Sequence, residues 1–534
     1  MSNKHNFGCT LMATDDLGRT TSDVVSPREN RRVGLFYFLW LGEHGRHRPY
    51  NVSHITAADP NAGYKPDSDV WGDVGVYHHW GEPLYGYYYS DDEWVVRHHM
   101  KLIIQADIDF LFFDTTNRLI YEKNAKLVMR VLQEYHDQGW KIPKVMFYTN
   151  TLSGETVQEI YEKIYSVGYC PDTWYYYDGK PLIIAIEEEC SPEAKEFFTI
   201  KKSQWPNEPE KLDGWPWMDF VRPQRVLKDK NGRDTVINVS VAQHPQCRFG
   251  DSVMYGETAN RGRSYHNGQQ DKSDGAYLYG YNFTEQFDRA IETDPPVVMV
   301  TGWNEWIAGR WEGIPERPIM FVDCADYEYS RDIEMMRGGY FDNYFMQLVD
   351  YVRRYKGVER IELKSPAVYR SFCDGDVPRD NAGSGTVYKN YTQRNAITEV
   401  RISDTGDTLS FTIKTKSPVK SYDGVGTWLK IYINTTGDKE YNYVVNNTPS
   451  ADGKTTVAKI TSGLDCRDFA AICYELDTNS ITITVNKSDI DFDGTLWFKV
   501  ADSTEEMKTF EDFYILGDVA PLGRLNYVFK SHKE

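Results

Sequence analysis

The chain has 534 residues, 40% hydrophobic and 26% charged, enough apolar material for two or three domains with sizeable cores. Its formal net charge of −19 argues against nucleic acid or an anionic membrane surface as the main partner. Aromatic residues make up 14%, with 38 Tyr and 14 Trp, a bias that suits stacking on the C–H faces of sugars as well as it suits aromatic cores.

The Cys residues (9, 170, 190, 247, 324, 373, 466, 473) are scattered with no Cys-x-x-Cys. They read neither as a zinc site nor as a disulfide scaffold, although Cys466 and Cys473 stand close enough in sequence to pair. No run reaches the length of a membrane span, so no membrane insertion is expected, and residues 1–21 are polar with no apolar signal-like core. Two locations stay open: cytoplasmic, or secreted or cell-surface with a signal peptide removed.

In chain order, residues 32–41 (Val33-Gly34-Leu35-Phe36-Tyr37-Phe38-Leu39-Trp40 within them) predict a first buried strand. A polar, aromatic, Gly- and Pro-containing stretch follows to residue 91 and carries His78-His79-Trp80-Gly81-Glu82-Pro83. Ser90 or Asp91, with acids after it, predicts a helix start, and apolar spacing continues the helix through Ala106. Ile108-Asp109-Phe110-Leu111-Phe112-Phe113-Asp114 predicts a strand that ends in an acid. A helix with Ala125, Val128, Val131, Leu132 and Tyr135 on one face leads to a strand over 144–148, and a helix over 157–164 leads to one over 181–186. Weaker strand signals lie at 218–221 and 237–242, the second ending at Gln243-His244. A loop with Arg261, Arg263, Ser264 and His266 precedes a helix over 283–293.

The most informative stretch comes next. Val297-Val298-Met299-Val300-Thr301 reads as a buried strand with little alternation, as in a covered parallel sheet, and it delivers Gly302-Trp303-Asn304-Glu305-Trp306. A carboxylate and an amide just past such a strand sit where barrel enzymes keep their chemistry. The Trp residues on either side supply apolar walls that stack on a sugar and raise the pKa of a carboxyl. A last amphipathic helix carries Tyr340, Tyr344, Leu348, Val352 and Tyr355.

Strand and helix alternating in this way, with polar groups at strand ends and no Gly-x-Gly-x-x-Gly or P-loop, predict a (β/α)8 TIM-type barrel over residues 1–357 rather than an open doubly wound sheet. Beyond it the period changes to two, as in Leu409-Ser410-Phe411-Thr412-Ile413-Lys414-Thr415 and Ile481-Thr482-Ile483-Thr484-Val485. Further short strands at 428–434, 441–445, 470–476 and 496–500 predict an antiparallel β-sandwich over 358–534, with the boundary between 357 and 385.

Glycoside cleavage needs two carboxyl groups around the scissile bond, about 5 Å apart for retention and clearly more for inversion. Glu305 and Asp114 are the two acids that end apolar strands, and a catalytic pair is expected from them; an Arg-paired strand-end acid is the alternative for Asp114. Trp303, Asn304, Trp306, His79, Trp80, Glu82, Asn117, Gln243, Arg263 and His266 are candidates to bind substrate. Glu82, Asp91 to Glu93 and Glu312 are further candidate acids, a plain loop acid being the better reading for Glu82 and Glu312; for Arg263, Ser264 and His266 a solvated loop is the alternative. The pairs His78-His79 and His98-His99 lack metal-ligand spacing with nearby carboxylates, so neither metal nor cofactor is expected.

The segment Gly302-Trp303-Asn304-Glu305-Trp306 resembles the Trp-Asn-Glu-Trp signature of family 99-like and family 71-like glycoside hydrolases, a group that includes related domains of polysaccharide-biosynthesis proteins. The resemblance implies a barrel acting on glycosides with Glu305 in its site. In family 99 a second Glu three residues later serves as general acid/base; here that position is Ala308, so the resemblance implies a relative whose acid lies elsewhere. Residues 428–434, 441–446 and 497–502 resemble the family 9 carbohydrate-binding module and DOMON-type sandwiches, which implies sugar binding or packing against the barrel. The expected function is that of a glycoside hydrolase. A non-catalytic carbohydrate-binding protein and a glycan-biosynthesis barrel of the same broad type are the alternatives.

Overall fold

The computed structural model describes residues 5–23, 26–245, 253–255, 260–321, 326–374 and 377–531. Cys247 and Cys324 lie outside the described residues. A short strand β1 (Leu11–Met12) precedes β2 (Arg32–Tyr37), helix α1 (Val52–Ala58), β3 (Tyr77–His79), α2 (Glu93–Gln105), β4 (Phe110–Thr115), α3 (Glu122–Asp137), β5 (Lys144–Thr149) and α4 (Ser153–Ile160). Next come β6 (Tyr176–Tyr177), β7 (Lys180–Ala185), α5 (Pro192–Phe197), β8 (Thr199–Gln204), β9 (Gly214–Pro216), β10 (Val226–Lys228) and β11 (Asp234–Ser240). The hairpin of β12 (Tyr265–His266) and β13 (Gln269–Gln270) leads to α6 (Tyr281–Thr293), β14 (Val297–Thr301), the hairpin of β15 (Ile307–Ile314) and β16 (Arg317–Phe321), and α7 (Asn343–Lys356).

One sheet runs in the order β10-β11-β14-β2-β4-β5-β7-β8-β9, parallel from β11 to β9, with β10 antiparallel at the edge. Period two divides its side chains. Phe36, Phe38, Phe110, Phe112, Met146, Tyr148, Leu182, Ile184, Val297 and Met299 fill an inner core, while the intervening Leu35, Leu111, Phe113, Val145, Phe147, Ile183, Val298 and Val300 belong to the core shared with the helices. Gly34 is required in β2 because a Cβ there would meet the Phe110 ring at 2.1 Å.

The expectation of a (β/α)8 TIM-type barrel is corrected here. Among the described residues no helix separates β8 from β9 or β9 from β11, and no hydrogen-bonded ladder joins β9 to β11. The result is a curled sheet with partial helical cover rather than eight βα units. The chemistry of that stretch explains the departure. Trp205-Pro206-Asn207-Glu208-Pro209 and Gly214-Trp215-Pro216 cannot support a helix, since Pro removes N–H donors and Gly disfavours helical backbone. The strand expected at 218–221 is instead β9, a few residues earlier, and β8, β15 and β16 lay in stretches with no clear period.

The C-terminal residues form antiparallel strands, but not as a sandwich of two separate sheets. Asp465–Asp477 pairs with Lys454–Ser462 through its first part and with Ser480–Asn486 through its last four residues. One continuous 12-stranded sheet therefore folds over a core that includes Val400, Phe411, Ile431, Val457, Ile483 and Phe498. β1 sits at its edge, paired with Asn526–Lys530. Arg524 Nε and the Tyr514 hydroxyl both donate to Asp342 Oδ2, at 2.7 and 2.8 Å, tying this sheet to the residues before α7. Cys466 and Cys473 are free thiols. Among the described residues no helix is long and apolar enough to cross a membrane.

Candidate functional site

All parallel strands from β11 to β9 end on the same side, and ligands of such sheets bind outside those carboxyl ends. The inner-face alternation decides which side chains emerge there. In β4 it runs Phe110, Phe112, Asp114, so the acid continues the inner core to its rim. Asp114 is half-buried; its Oδ1 accepts the Thr116 N–H at 3.0 Å and the Thr116 hydroxyl at 2.8 Å. Burial pushes its carboxyl up, opposed by the Thr116 donors and by the charge of Arg331.

Glu305 follows β14, and strand β2 separates it from β4. Its carboxylate is clamped by the buried Arg331, which donates to Oε2 through both Nε (3.0 Å) and Nη2. A guanidinium fork of this kind fixes a carboxylate's orientation as well as supplying its counter-charge. Arg331 in turn lies over the Trp217 ring, 5.5 Å from its centroid, and its Nη1 is 3.5 Å from His244 Nδ1. His244 Nε2 is 2.7 Å from the Tyr329 carbonyl oxygen.

Below Glu305 lies a buried polar frame. The Glu305 N–H donates to Asp332 Oδ1, and the Trp80 indole donates to Asp332 Oδ2 at 2.7 Å. Burial pushes the Asp332 carboxyl up to about 7, against the opposing charge of Arg263. Glu334 collects the Tyr88 hydroxyl and the Trp306 indole, each at 2.6 Å, and His99 Nε2 lies at 2.9 Å. Buried carboxylates that accept this many hydrogen bonds favour one arrangement of the loop that carries Glu305.

The structure places the other sequence candidates as follows. Trp303 is fully buried, edge-on to His99. Asn304 spends its amide on the backbone of Phe38, accepting its N–H at 2.9 Å and donating to its carbonyl at 3.2 Å. Trp306 stacks on Trp80 with centroids 4.5 Å apart, beneath Glu305. His79 is on β3, paired with Ile307, and burial pulls it down to about 3, as it does His78. Glu82 is a rim acid 3.4 Å from Arg337. Asn117 is exposed and donates to the Tyr121 hydroxyl at 2.7 Å.

Gln243 is buried and donates to the Asp219 carbonyl at 2.5 Å. Arg263 is fully buried, over Tyr344 and Tyr340 at 4.3 and 4.5 Å, and donates to the Asp332 carbonyl at 2.8 Å; it braces the frame rather than belonging to a solvated loop. His266 sits on the β12–β13 hairpin against Tyr281. Glu312 is exposed in β15. Thus Asp114 and Glu305 stand at one end of the sheet, Trp80, Trp306 and Arg263 support Glu305, and Glu82 and Glu312 take no part in that frame.

Sequence reasoning missed Trp40, Trp205, Trp217, His244, Arg331, Asp332 and Glu334. Trp40 extends the inner-face row Phe36, Phe38 beyond β2, 6.1 Å from Phe38. Trp205 and Trp217 follow β8 and β9 and lie 5.4 Å apart, with Trp217 6.0 Å from Phe36. The signal for Trp40 was the same two-residue alternation that marks the strand. For Arg331, Asp332 and Glu334 it was Ser330-Arg331-Asp332-Ile333-Glu334, charges set among Ile and Met in a segment with no secondary structure. Among the described residues no group of three or more His, Cys, Asp or Glu side chains is arranged to hold a metal.

No family model matches the chain, and no curated protein matches it in sequence. The likeness to family 99-like and family 71-like enzymes therefore rests on the Trp-Asn-Glu-Trp segment and its setting.

Proposed function

We propose that the protein is a glycoside hydrolase whose carboxylate pair is Glu305 and Asp114. The observation that supports the reading is that Asp114 continues the inner face of β4 to the carboxyl end of the sheet, where Glu305 follows β14 two strands away. Strands two apart in a sheet lie about 10 Å from each other, of the order of the carboxyl separations of about 5 to 10 Å that glycosidases use. Trp40, Trp205 and Trp217, all partly exposed, give that end of the sheet the stacking surfaces that sugar rings use.

The roles follow from the surroundings. Arg331 supplies a fixed counter-charge to Glu305, which suits a base or nucleophile. The half-buried Asp114, its carboxyl pushed up, suits the proton donor to the leaving oxygen. Asp332 and Glu334 hold the Glu305 loop, and neither touches substrate in this reading. One observation favours a second reading, sugar binding without cleavage: Glu305 Oε2 already takes two guanidinium donors, and Ala308 stands where the family signature has its acid.

The test is incubation with aryl glycosides and with plant, host and microbial glycans, scored by released chromophore or new reducing ends. Turnover by the wild type that disappears in Glu305→Gln supports hydrolysis. Saturable glycan binding with no product across the panel supports the second reading.

A further inference from the structure

Two arginines beside Gln243, just past the carboxyl end of β11, have no part in the glycosidic reading. The backbones of Arg261 and Gln243 pair in both directions at 2.8 Å, which sets the Arg261 side chain beside the buried Gln243 amide. Gln243 Oε1 accepts from Arg261 Nη1 at 3.1 Å and from Arg222 Nε at 3.1 Å. Both guanidiniums also lie over one ring, Tyr265, at 5.7 and 5.8 Å from its centroid. Two like charges thus share one neutral acceptor and one aromatic face.

Their other partners are mostly neutral, and their compensation comes from one side. Arg261 Nη1 donates to the Phe220 carbonyl at 2.9 Å, and Arg222 Nη2 donates to Asn282 Oδ1. The carboxylate within ion-pair reach of Arg222 is Glu285, at 3.6 Å; it is 40% exposed and already accepts the Asn267 N–H at 2.8 Å. Asp219 is committed to Arg225 at 2.8 Å. Arg261 Nε and Nη2 meet no acceptor among the described residues. Burial pulls Arg222 down to about 10, and the charge of Arg261 acts in the same direction while Glu285 opposes it. In a chain of net charge −19, this is a local pairing of two positive charges, one of them held at a desolvation cost.

We infer that Arg222 and Arg261 form a binding site for an oxyanion, a carboxylate or sulfate group carried by a ligand. Guanidinium forks match such planar or tetrahedral oxygens two at a time, and an anion between them replaces mutual repulsion with shared attraction. The inference does not depend on glycoside cleavage.

Calorimetric titration of the full chain at constant ionic strength, with sodium sulfate, sodium glucuronate and uncharged glucose, tests this. Wild type is expected to bind an oxyanion and not glucose. Arg261→Gln should weaken that binding by about 10- to 100-fold. Arg261→Lys, which keeps charge without the fork, should fall between them, and Arg467→Gln, at an exposed position of the C-terminal sheet, should match wild type. Binding of one anion and not the other supports the site and names its group. Absence of binding by either anion to folded wild type, or equal affinity in wild type and a folded Arg261→Gln, overturns the inference.

Discussion

Asp332 links the stability of the fold to the position of Glu305, and its substitution is expected to change how stability depends on pH. The carboxyl is fully buried, accepts the Glu305 N–H and the Trp80 indole, and is pushed up to about 7 from an ordinary 3.8. A carboxyl raised in the folded state binds its proton more tightly there than in the unfolded chain. Its contribution to stability is therefore complete below 3.8 and is lost as pH rises through about 7. The difference between those values, at about 1.36 kcal/mol for each pH unit, comes to about 4 kcal/mol. Asp332→Asn removes the titration while keeping a carbonyl oxygen to accept a hydrogen bond. Urea unfolding of both proteins from about pH 4 to about pH 8 should show the wild type's advantage largest at the acid end, shrinking by about 4 kcal/mol toward the alkaline end. A difference constant to within about 1 kcal/mol over that range would refute the reasoning.

Other outcomes are expected from separate features. Gly34→Ala should lower stability by about 1–3 kcal/mol or more in the same unfolding assay, because the added Cβ meets the Phe110 ring at 2.1 Å; an unchanged midpoint would contradict the packing. Trp217→Ala should weaken binding of a glycan ligand by about tenfold, read by calorimetry, with the fold preserved by circular dichroism. Exhaustive chelation should leave turnover unchanged, and activity restored by one divalent ion after chelation would count against metal-free chemistry.

The sequence is legible where one period dominates. β2, β4, β5, β7 and β14 are apolar runs, α3 and α6 carry one apolar face, and all were read within a few residues of their bounds. It is illegible where tertiary contacts choose the conformation. The segment from Trp205 to Pro216 carries no period, and its Pro and Gly content disfavours the helix that a complete barrel requires. Residues 470–476 read as one short strand; the structure extends it to Asp465–Asp477, and only pairing on both sides shows that it joins two parts of a single sheet.

The site divides in the same manner. Glu305 and Asp114 were visible because each ends an apolar strand. Arg331, Asp332 and Glu334 were not, because charges set among Ile and Met do not say which strand end such a loop folds under. Asn304 shows the converse: a polar residue beside the candidate acid, whose amide is used on the Phe38 backbone.

The central claim, that Glu305 and Asp114 together cleave a glycosidic bond, is tested most directly by kcat/KM of Glu305→Gln and Asp114→Asn on the substrate found by the glycan screen. Each substitution should lower turnover by about two to four powers of ten while circular dichroism and the unfolding midpoint stay near wild type. Full activity in a folded Asp114→Asn or Glu305→Gln would contradict the account.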